Sequence, residues 1–115
     1  MLEDFKLKVF LKVSELGSFT TAARSLGISQ PAVSQTIAEL EKSLGGSLLD
    51  RSRKGEIQLT EKGRVLESFA KTICKNYEDL NAVFNDYEAF VDFIDKSNEL
   101  ISSPYYDIFK GTLLK

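Results

Sequence analysis

The stretch from residue 19 to residue 38, FTTAARSLGISQPAVSQTIA, constrains this chain more than any other segment. It predicts two short helices joined by one tight turn. Ser18 and Ser29 precede the two helices, where a hydroxyl can accept a free backbone N–H. Gly27 follows the first helix, where glycine takes the left-handed conformation without a Cβ penalty. Pro31 falls in the first turn of the second helix, which needs no backbone donor there.

The packing positions of this stretch favour a helix-turn-helix, whose second helix enters the major groove of DNA. Ala23 lies where the two helices cross closely, while Val33, Ile37 and Leu40 recur at the spacing of a buried stripe. The other side carries side chains suited to bases: Gln30, Ala32, Ser34 and Gln35. Glutamine can bridge adenine N6 and N7, serine can bond bases or phosphates, and an alanine methyl can touch a thymine methyl. An ordinary helical hairpin with a polar face is the alternative.

The flanking segments predict a winged domain. A first helix ending near Gly17 has its expected buried stripe at Leu2, Phe5, Val9, Val13 and Leu16. After a helix stop at residues 44–46, Leu48 and Leu49 are expected to pair with a strand containing Ile57 and Leu59. The loop between the strands carries cations suited to phosphates or to the narrow minor groove: Arg51, Arg53 and Lys54. A solubilising charged loop is the alternative.

The second half of the chain predicts a long helix. Thr60 can cap a helix that starts at Glu61 and runs to about residue 98, roughly 55 Å at 1.5 Å per residue. Its apolar residues form rows at seven-residue spacing, too long for a small winged domain to cover, so we expect a coiled-coil seam with a second chain. The expected contacts are Leu66, Phe69, Ala70, Ile73, Tyr77, Leu80, Phe84 and Tyr87. A helix that breaks or folds back onto its own domain is the alternative.

Composition narrows the classes of function. The chain has no histidine and one cysteine, Cys74, so it offers neither His-based catalysis nor an intrachain disulfide. We expect Cys74 to be a buried, inert thiol, with a redox-sensing thiol as the alternative. Carboxylates such as Glu39 and Glu41 fit solvated helix charges, so no enzyme, no metal and no cofactor is expected. No signal peptide or membrane-spanning run is visible, which predicts a cytoplasmic protein.

In the order and spacing of these elements, residues 2 to about 90 resemble the DNA-binding domain of LysR-type transcriptional regulators. The matching positions are Phe10, Gly17-Ser18-Phe19, Ala22-Ala23, Leu26, Ser29-Gln30-Pro31-Ala32-Val33-Ser34, Ile37, Leu40-Glu41, Leu44-Gly45, Leu48, Arg51, Leu59-Thr60 and Gly63. The resemblance implies a mainly α winged helix-turn-helix, with three helices and a short β-hairpin wing, followed by a long dimerisation helix. It also implies binding to interrupted inverted repeats near promoters. Leu49 departs from the family's frequent phenylalanine, and Asp50 and Glu56 place acids beside the wing cations.

The resemblance further implies roles for single residues at the DNA. Those that approach bases are Gln30, Pro31, Ser34 and Gln35. Those that approach phosphates are Ser18, Thr20 and Ser29, while Arg51 and Arg53 approach the minor groove. Arg24, Ala32 and Lys54 complete the set that we predict to contact DNA.

The expected organisation has three parts. Residues 1–60 form the winged helix-turn-helix domain, residues 61–98 the linker and dimerisation helix, and residues 99–115 a C-terminal extension. We expect the extension to open the effector-binding domain of a longer protein, with a naturally short regulator as the alternative. The expected partners are double-stranded DNA and a second copy of the chain, with higher oligomers for a full-length chain, no membrane, and a small-molecule effector only if that further domain exists. The alternative function is a winged-helix and coiled-coil protein-interaction module that does not bind DNA.

Overall fold

The computed structural model describes residues 4–53 and 55–96, which are mainly helical with one short antiparallel hairpin. The helices are α1 (Phe5–Leu16), α2 (Phe19–Leu26), α3 (Gln30–Leu44), α4 (Glu61–Asn85) and α5 (Tyr87–Lys96). The strands are β1 (Leu49–Asp50) and β2 (Gln58–Leu59). The chain forms two compact units, one ending at Glu78 and the other beginning at Asp79. The predicted fold class is confirmed.

Polar caps set the starts of the first three helices. The Asp4 carboxylate accepts the Leu7 N–H at 3.2 Å and so opens α1. Ser18 and Ser29 cap α2 and α3 as predicted, since their hydroxyl oxygens accept backbone N–H groups at 3.1 and 3.2 Å. Gly27 ends α2 with a φ of 69°, in the left-handed region. These local signals leave only residues 27–29 for the turn between α2 and α3.

The core of the first unit lies where α1, α2 and α3 pack against one another. Val33, Ile37 and Leu40 form the buried stripe of α3, as predicted. The predicted stripe of α1 is wrong at its ends, because Phe5 and Leu16 are exposed at the first and last helical positions. The middle of the helix is covered by α2 and α3, so Val9 and Val13 are buried as predicted, and Leu7 and Phe10 are buried with them. Leu2 lies outside the described residues.

The hairpin pairs Leu49 with Leu59 and Asp50 with Gln58 in antiparallel register. The predicted pairing of the two segments is correct, although Leu48 and Ile57 fall just outside the strands. Leu48 is buried and holds three elements together, because its N–H donates to the Glu41 carboxylate at 2.8 Å and its carbonyl accepts the Thr60 N–H at 3.1 Å. The hairpin is therefore fixed to the end of α3 and to the start of α4.

The beginning of α4 belongs to the first unit. The Thr60 hydroxyl accepts the Gly63 N–H at 3.0 Å, which confirms the predicted cap. Ala70 and Cys74 are buried in the core cluster, so the burial predicted for the thiol is confirmed.

The helix predicted to continue to about residue 98 is instead divided at Asp86. The Asp86 carboxylate accepts the Ala89 N–H at 3.2 Å and its carbonyl accepts the Phe90 N–H, as at the start of a new helix. The expected extension, residues 99–115, lies outside the described residues. Within the described residues, no helix is both long and apolar enough to cross a membrane.

Candidate nucleic-acid and self-association surfaces

The first half of α3 presents the residues predicted to read bases. Gln30, Pro31 and Gln35 are exposed, while Ala32 and Ser34 are half-buried. Positions 30, 31, 34 and 35 share one helix face because neighbours on a helix surface are three and four residues apart. This face is available to a groove of DNA, whereas the stripe on the opposite side anchors the helix in the core.

Gln35 lies at the end of a short polar chain. Its Nε2 donates to Glu39 Oε1 at 3.3 Å, and Glu39 Oε2 lies 3.2 Å from Lys6 Nζ. A glutamine amide has two protons and one acceptor oxygen. Bridging adenine uses one proton and the oxygen, so Gln35 can keep its bond to Glu39 while it contacts a base.

The starts of α2 and α3 supply hydroxyl groups suited to phosphates. The oxygens of Ser18 and Ser29 accept backbone N–H groups as caps, and each hydroxyl retains a proton to donate. Thr20 and Arg24 are exposed on α2. Capping and phosphate contact are therefore compatible at these serines.

The wing arginines are held in two different ways. The Arg51 guanidinium carbon lies 4.4 Å from the centroid of the Phe19 ring, a cation–π contact. Arg53 Nη1 lies 4.0 Å from Glu56 Oε2. Arg51 is thus joined to α2, whereas Arg53 faces an acid of its own loop. Lys54 lies outside the described residues.

Asp50 adds a fixed negative charge at the base of the wing. Its carboxylate accepts the Ser52 N–H at 2.9 Å. Hydrogen bonds from the Ser52 hydroxyl and backbone lower the pKa of Asp50 below its ordinary value of 3.8, and they outweigh the opposing effect of burial, while the Arg53 charge adds a smaller lowering. Asp50 is therefore ionised at neutral pH.

One open cleft, about 400 Å³ in volume, brings together predicted residues from three separate segments. These residues are Ser18, Thr20, Gln30, Arg51 and Arg53. The other described residues predicted to contact DNA do not line it: Arg24, Ser29, Pro31, Ala32, Ser34 and Gln35. The cleft brings the start of α2, the start of α3 and the wing together on one surface.

Two residues of this surface were missed by sequence reasoning. The ring of Phe19 makes the cation–π contact with Arg51, and Glu56 forms an ion pair with Arg53. Phe19 reads as a core residue because it opens an amphipathic helix, and only the folded chain brings it beneath an arginine 32 positions away. Glu56 was noticed as an acid near cations, but its specific partner depends on the turn.

A second surface, on α4, is apolar. Val65 and Phe69 are exposed, Phe69 by 65%, and with half-buried Leu66 they line an open groove of about 740 Å³. The groove is completed by Leu44, Leu48, Glu61, Lys62 and Ile73. This apolar face is exposed to water in the single chain, so it is suited to being covered by a partner.

The predicted dimer contacts differ in exposure. Ala70 is fully buried in the core of its own unit, so its side chain is already covered in the single chain, and its contact with a partner stays a prediction. Tyr77 is half-buried and Ile73 is exposed. In the second unit, Leu80, Phe84 and Tyr87 are exposed, and the last two stack with ring centroids 5.5 Å apart.

These features define a winged helix-turn-helix protein with a polar face on its second helix and wing. The family model described as "Bacterial regulatory helix-turn-helix protein, lysR family" matches residues 5–64. The chain belongs to this family. The resemblance read from the sequence is confirmed.

Curated relatives and solved structures agree with this placement. The chain is 40% identical over 81 residues to the nitrogen assimilation regulatory protein nac of Klebsiella aerogenes, covering 70% of this chain and 26% of the relative. It is 41% identical over 76 residues to the HTH-type transcriptional activator AaeR of Escherichia coli, covering 66% and 24%. The chain thus spans about a quarter of the length of these relatives.

Similar solved structures include complexes with DNA. The BenM_DBD/catB site 1 DNA complex matches with a TM-score of 0.68 and 32% identity, covering 73% of this chain and 92% of that one. Vibrio fischeri DarR in complex with DNA matches with a TM-score of 0.68 and 31% identity, covering 77% and 30%.

Proposed function

We propose that this chain binds double-stranded DNA sequence-specifically, as the DNA-binding part of a transcriptional regulator. The observation that carries the proposal is the cleft that unites Ser18, Thr20, Gln30, Arg51 and Arg53. Hydroxyls and guanidinium groups from three segments converge there, as contacts to a phosphate backbone require. The similar structures solved in complex with DNA support the same function.

In this proposal α3 enters the major groove and the wing lies over the adjacent minor groove. Gln30 and Gln35 read base edges, with Gln35 pairing an adenine as glutamine side chains do. Ser18, Thr20 and Arg51 hold the backbone and fix the register of α3. Sequence information therefore comes from α3, and position comes from its neighbours.

Charge sets the expected strength of binding. Residues 1–60 hold eight Lys or Arg against seven Asp or Glu, so the domain is nearly neutral. Because non-specific affinity comes from neutralised phosphates, we expect it to be modest and strongly dependent on salt. DNA binding of this kind would place the protein in the bacterial cytoplasm, with the chromosome.

The apolar face of α4 supports a homodimer as the binding unit. An exposed groove that contains Val65, Phe69 and Ile73 loses its contact with water when a second copy covers it. A two-fold dimer presents two copies of α3 to two half-sites, which must form an inverted repeat. Higher oligomers and a small-molecule effector would require a further domain of a longer chain.

Selection of random duplex DNA on the purified chain, at about 0.15 M salt, tests the proposal. We expect enrichment of an inverted repeat with a fixed gap. The double variant Gln30→Ala, Gln35→Ala is the matched control, because it removes base readout from exposed positions and should abolish enrichment while the fold persists. A folded, dimeric natural chain that enriches nothing would favour a protein-interaction module instead.

A further inference from the structure

We propose that Glu56 limits the contribution of the wing to DNA binding, because its carboxylate competes with DNA phosphates for Arg53. The inference rests on the proposed function and deepens it. It makes Glu56 a residue that lowers affinity for every DNA sequence and so leaves discrimination to α3.

The turn of the wing creates this competition. The Glu56 N–H donates to the Arg53 carbonyl at 3.1 Å, and Gly55 between them has a φ of 79°, which favours glycine. This closed turn sets the two side chains beside each other, with Nη1 of Arg53 4.0 Å from Oε2 of Glu56. The backbone turn thus brings the two side chains within reach of each other.

The ion pair between Arg53 and Glu56 is weak enough to open when a phosphate approaches. The side chains are 73% and 60% exposed, and such surface ion pairs contribute little to stability. A phosphate can therefore replace Glu56, but the displaced carboxylate then lies close to the DNA backbone and repels it. Both effects reduce the gain from Arg53.

The two wing arginines contrast in this respect. Arg51 lies over the Phe19 ring, which orients the guanidinium without neutralising it. Arg53 faces the Glu56 carboxylate, and its charge also contributes to lowering the pKa of Asp50. Asp50 is committed to the Ser52 N–H, so Glu56 is the acid that a phosphate exchanges with. Arg51 should consequently contribute more to DNA binding than Arg53.

The first test compares Glu56→Gln with the natural chain on the selected operator and on a random duplex, at salt concentrations from about 0.05 to 0.2 M. We expect Glu56→Gln to tighten binding to both DNAs by about two- to fivefold, from the strength of a surface ion pair. The slope of log K against log salt should steepen by about 0.9, for one more phosphate contact. Glu15→Gln is the matched control, because Glu15 pairs with Lys12 at the same three-residue spacing on α1, and it should change neither quantity.

A double-mutant cycle separates competition from simple repulsion. Arg53→Ala should cost less affinity in the natural chain than in Glu56→Gln, where the guanidinium is released to DNA. An equal cost in both backgrounds, or no tightening by Glu56→Gln on the random duplex, would overturn the inference. Absence of operator enrichment would count against the proposed function alone, because the random duplex still tests the wing. Absence of binding to any DNA would overturn both.

Discussion

The Ser14 hydroxyl donates a 2.6 Å hydrogen bond to the Glu67 carboxylate, joining α1 to α4 across 53 positions of sequence. Glu67 is half-buried and also lies 3.9 Å from Lys71 on the next turn of α4. The bond fixes the rotation of α4 against the first helix.

Ser14→Ala should destabilise the first unit by about 1 kcal/mol, because a partly buried carboxylate loses its hydroxyl donor. Thermal unfolding followed by circular dichroism measures the change. Ser43→Ala, an exposed serine on α3, is the control and should leave the midpoint unchanged. Equal midpoints for the two variants would show that the bond between α1 and α4 contributes nothing to stability.

Gly63→Ala should be among the most damaging single substitutions. A Cβ at Gly63 would collide with the backbone carbonyl of Leu48, which is itself fixed by bonds to Glu41 and Thr60. Overpacking of this kind costs about 1–3 kcal/mol or more, because backbone must move. Chemical unfolding with urea measures the loss.

Gly46→Ala provides the matched control for that experiment. A Cβ there meets the Lys62 side chain, whose end can swing away into solvent. We expect Gly46→Ala to change the unfolding free energy far less than Gly63→Ala. Similar losses for both variants would argue against a rigid contact between α4 and the hairpin.

Local signals explain why the helix-turn-helix could be predicted from sequence. A serine cap needs only a neighbouring backbone N–H, as at Ser18 and Ser29. Gly27 ends α2 because its own backbone adopts a positive φ. The buried stripe of α3 follows from helical periodicity alone. The caps, the turn and the buried stripe each depend on a few nearby residues, so they can be predicted directly from the sequence.

Relationships between distant residues could not be predicted in the same way. The repeating apolar rows of α4 predict that the helix is covered, but they do not show what covers it. In the structure Ala70 is buried in the core of its own chain, while Phe69 is exposed. The contact of Arg51 with Phe19 depends on the path of the hairpin. Asp86 reads as an ordinary helix charge until its carboxylate is seen to cap α5.

Gln35→Ala should weaken binding to the selected operator by about 1–3 kcal/mol and relax the preference at one base pair, because a bidentate base contact is lost. Titration of operator variants at that position measures both effects. Loss of the same size on operator and random DNA would show that Gln35 does not read sequence.

Glu39 should tune that readout through its hydrogen bond to Gln35. Glu39→Ala frees the Gln35 amide, so we expect a broader preference at the same base pair. Glu39→Gln keeps a carbonyl acceptor while removing the charge, so it should retain the natural preference. If Glu39→Gln broadens the preference as much as Glu39→Ala, the charge rather than the hydrogen bond controls Gln35.

Phe69→Lys should separate self-association from folding. Phe69 is 65% exposed in the single chain, so lysine there leaves the core intact, but covering it with a second copy would bury a charge. We expect the dimer to dissociate at concentrations where the natural chain is dimeric, by sedimentation equilibrium, with the helical content unchanged. Phe5→Lys is the control, because Phe5 is an exposed phenylalanine on α1, away from the groove. A dimer that survives Phe69→Lys would put the contact between copies on another surface, and operator binding by that variant would then retain its natural affinity.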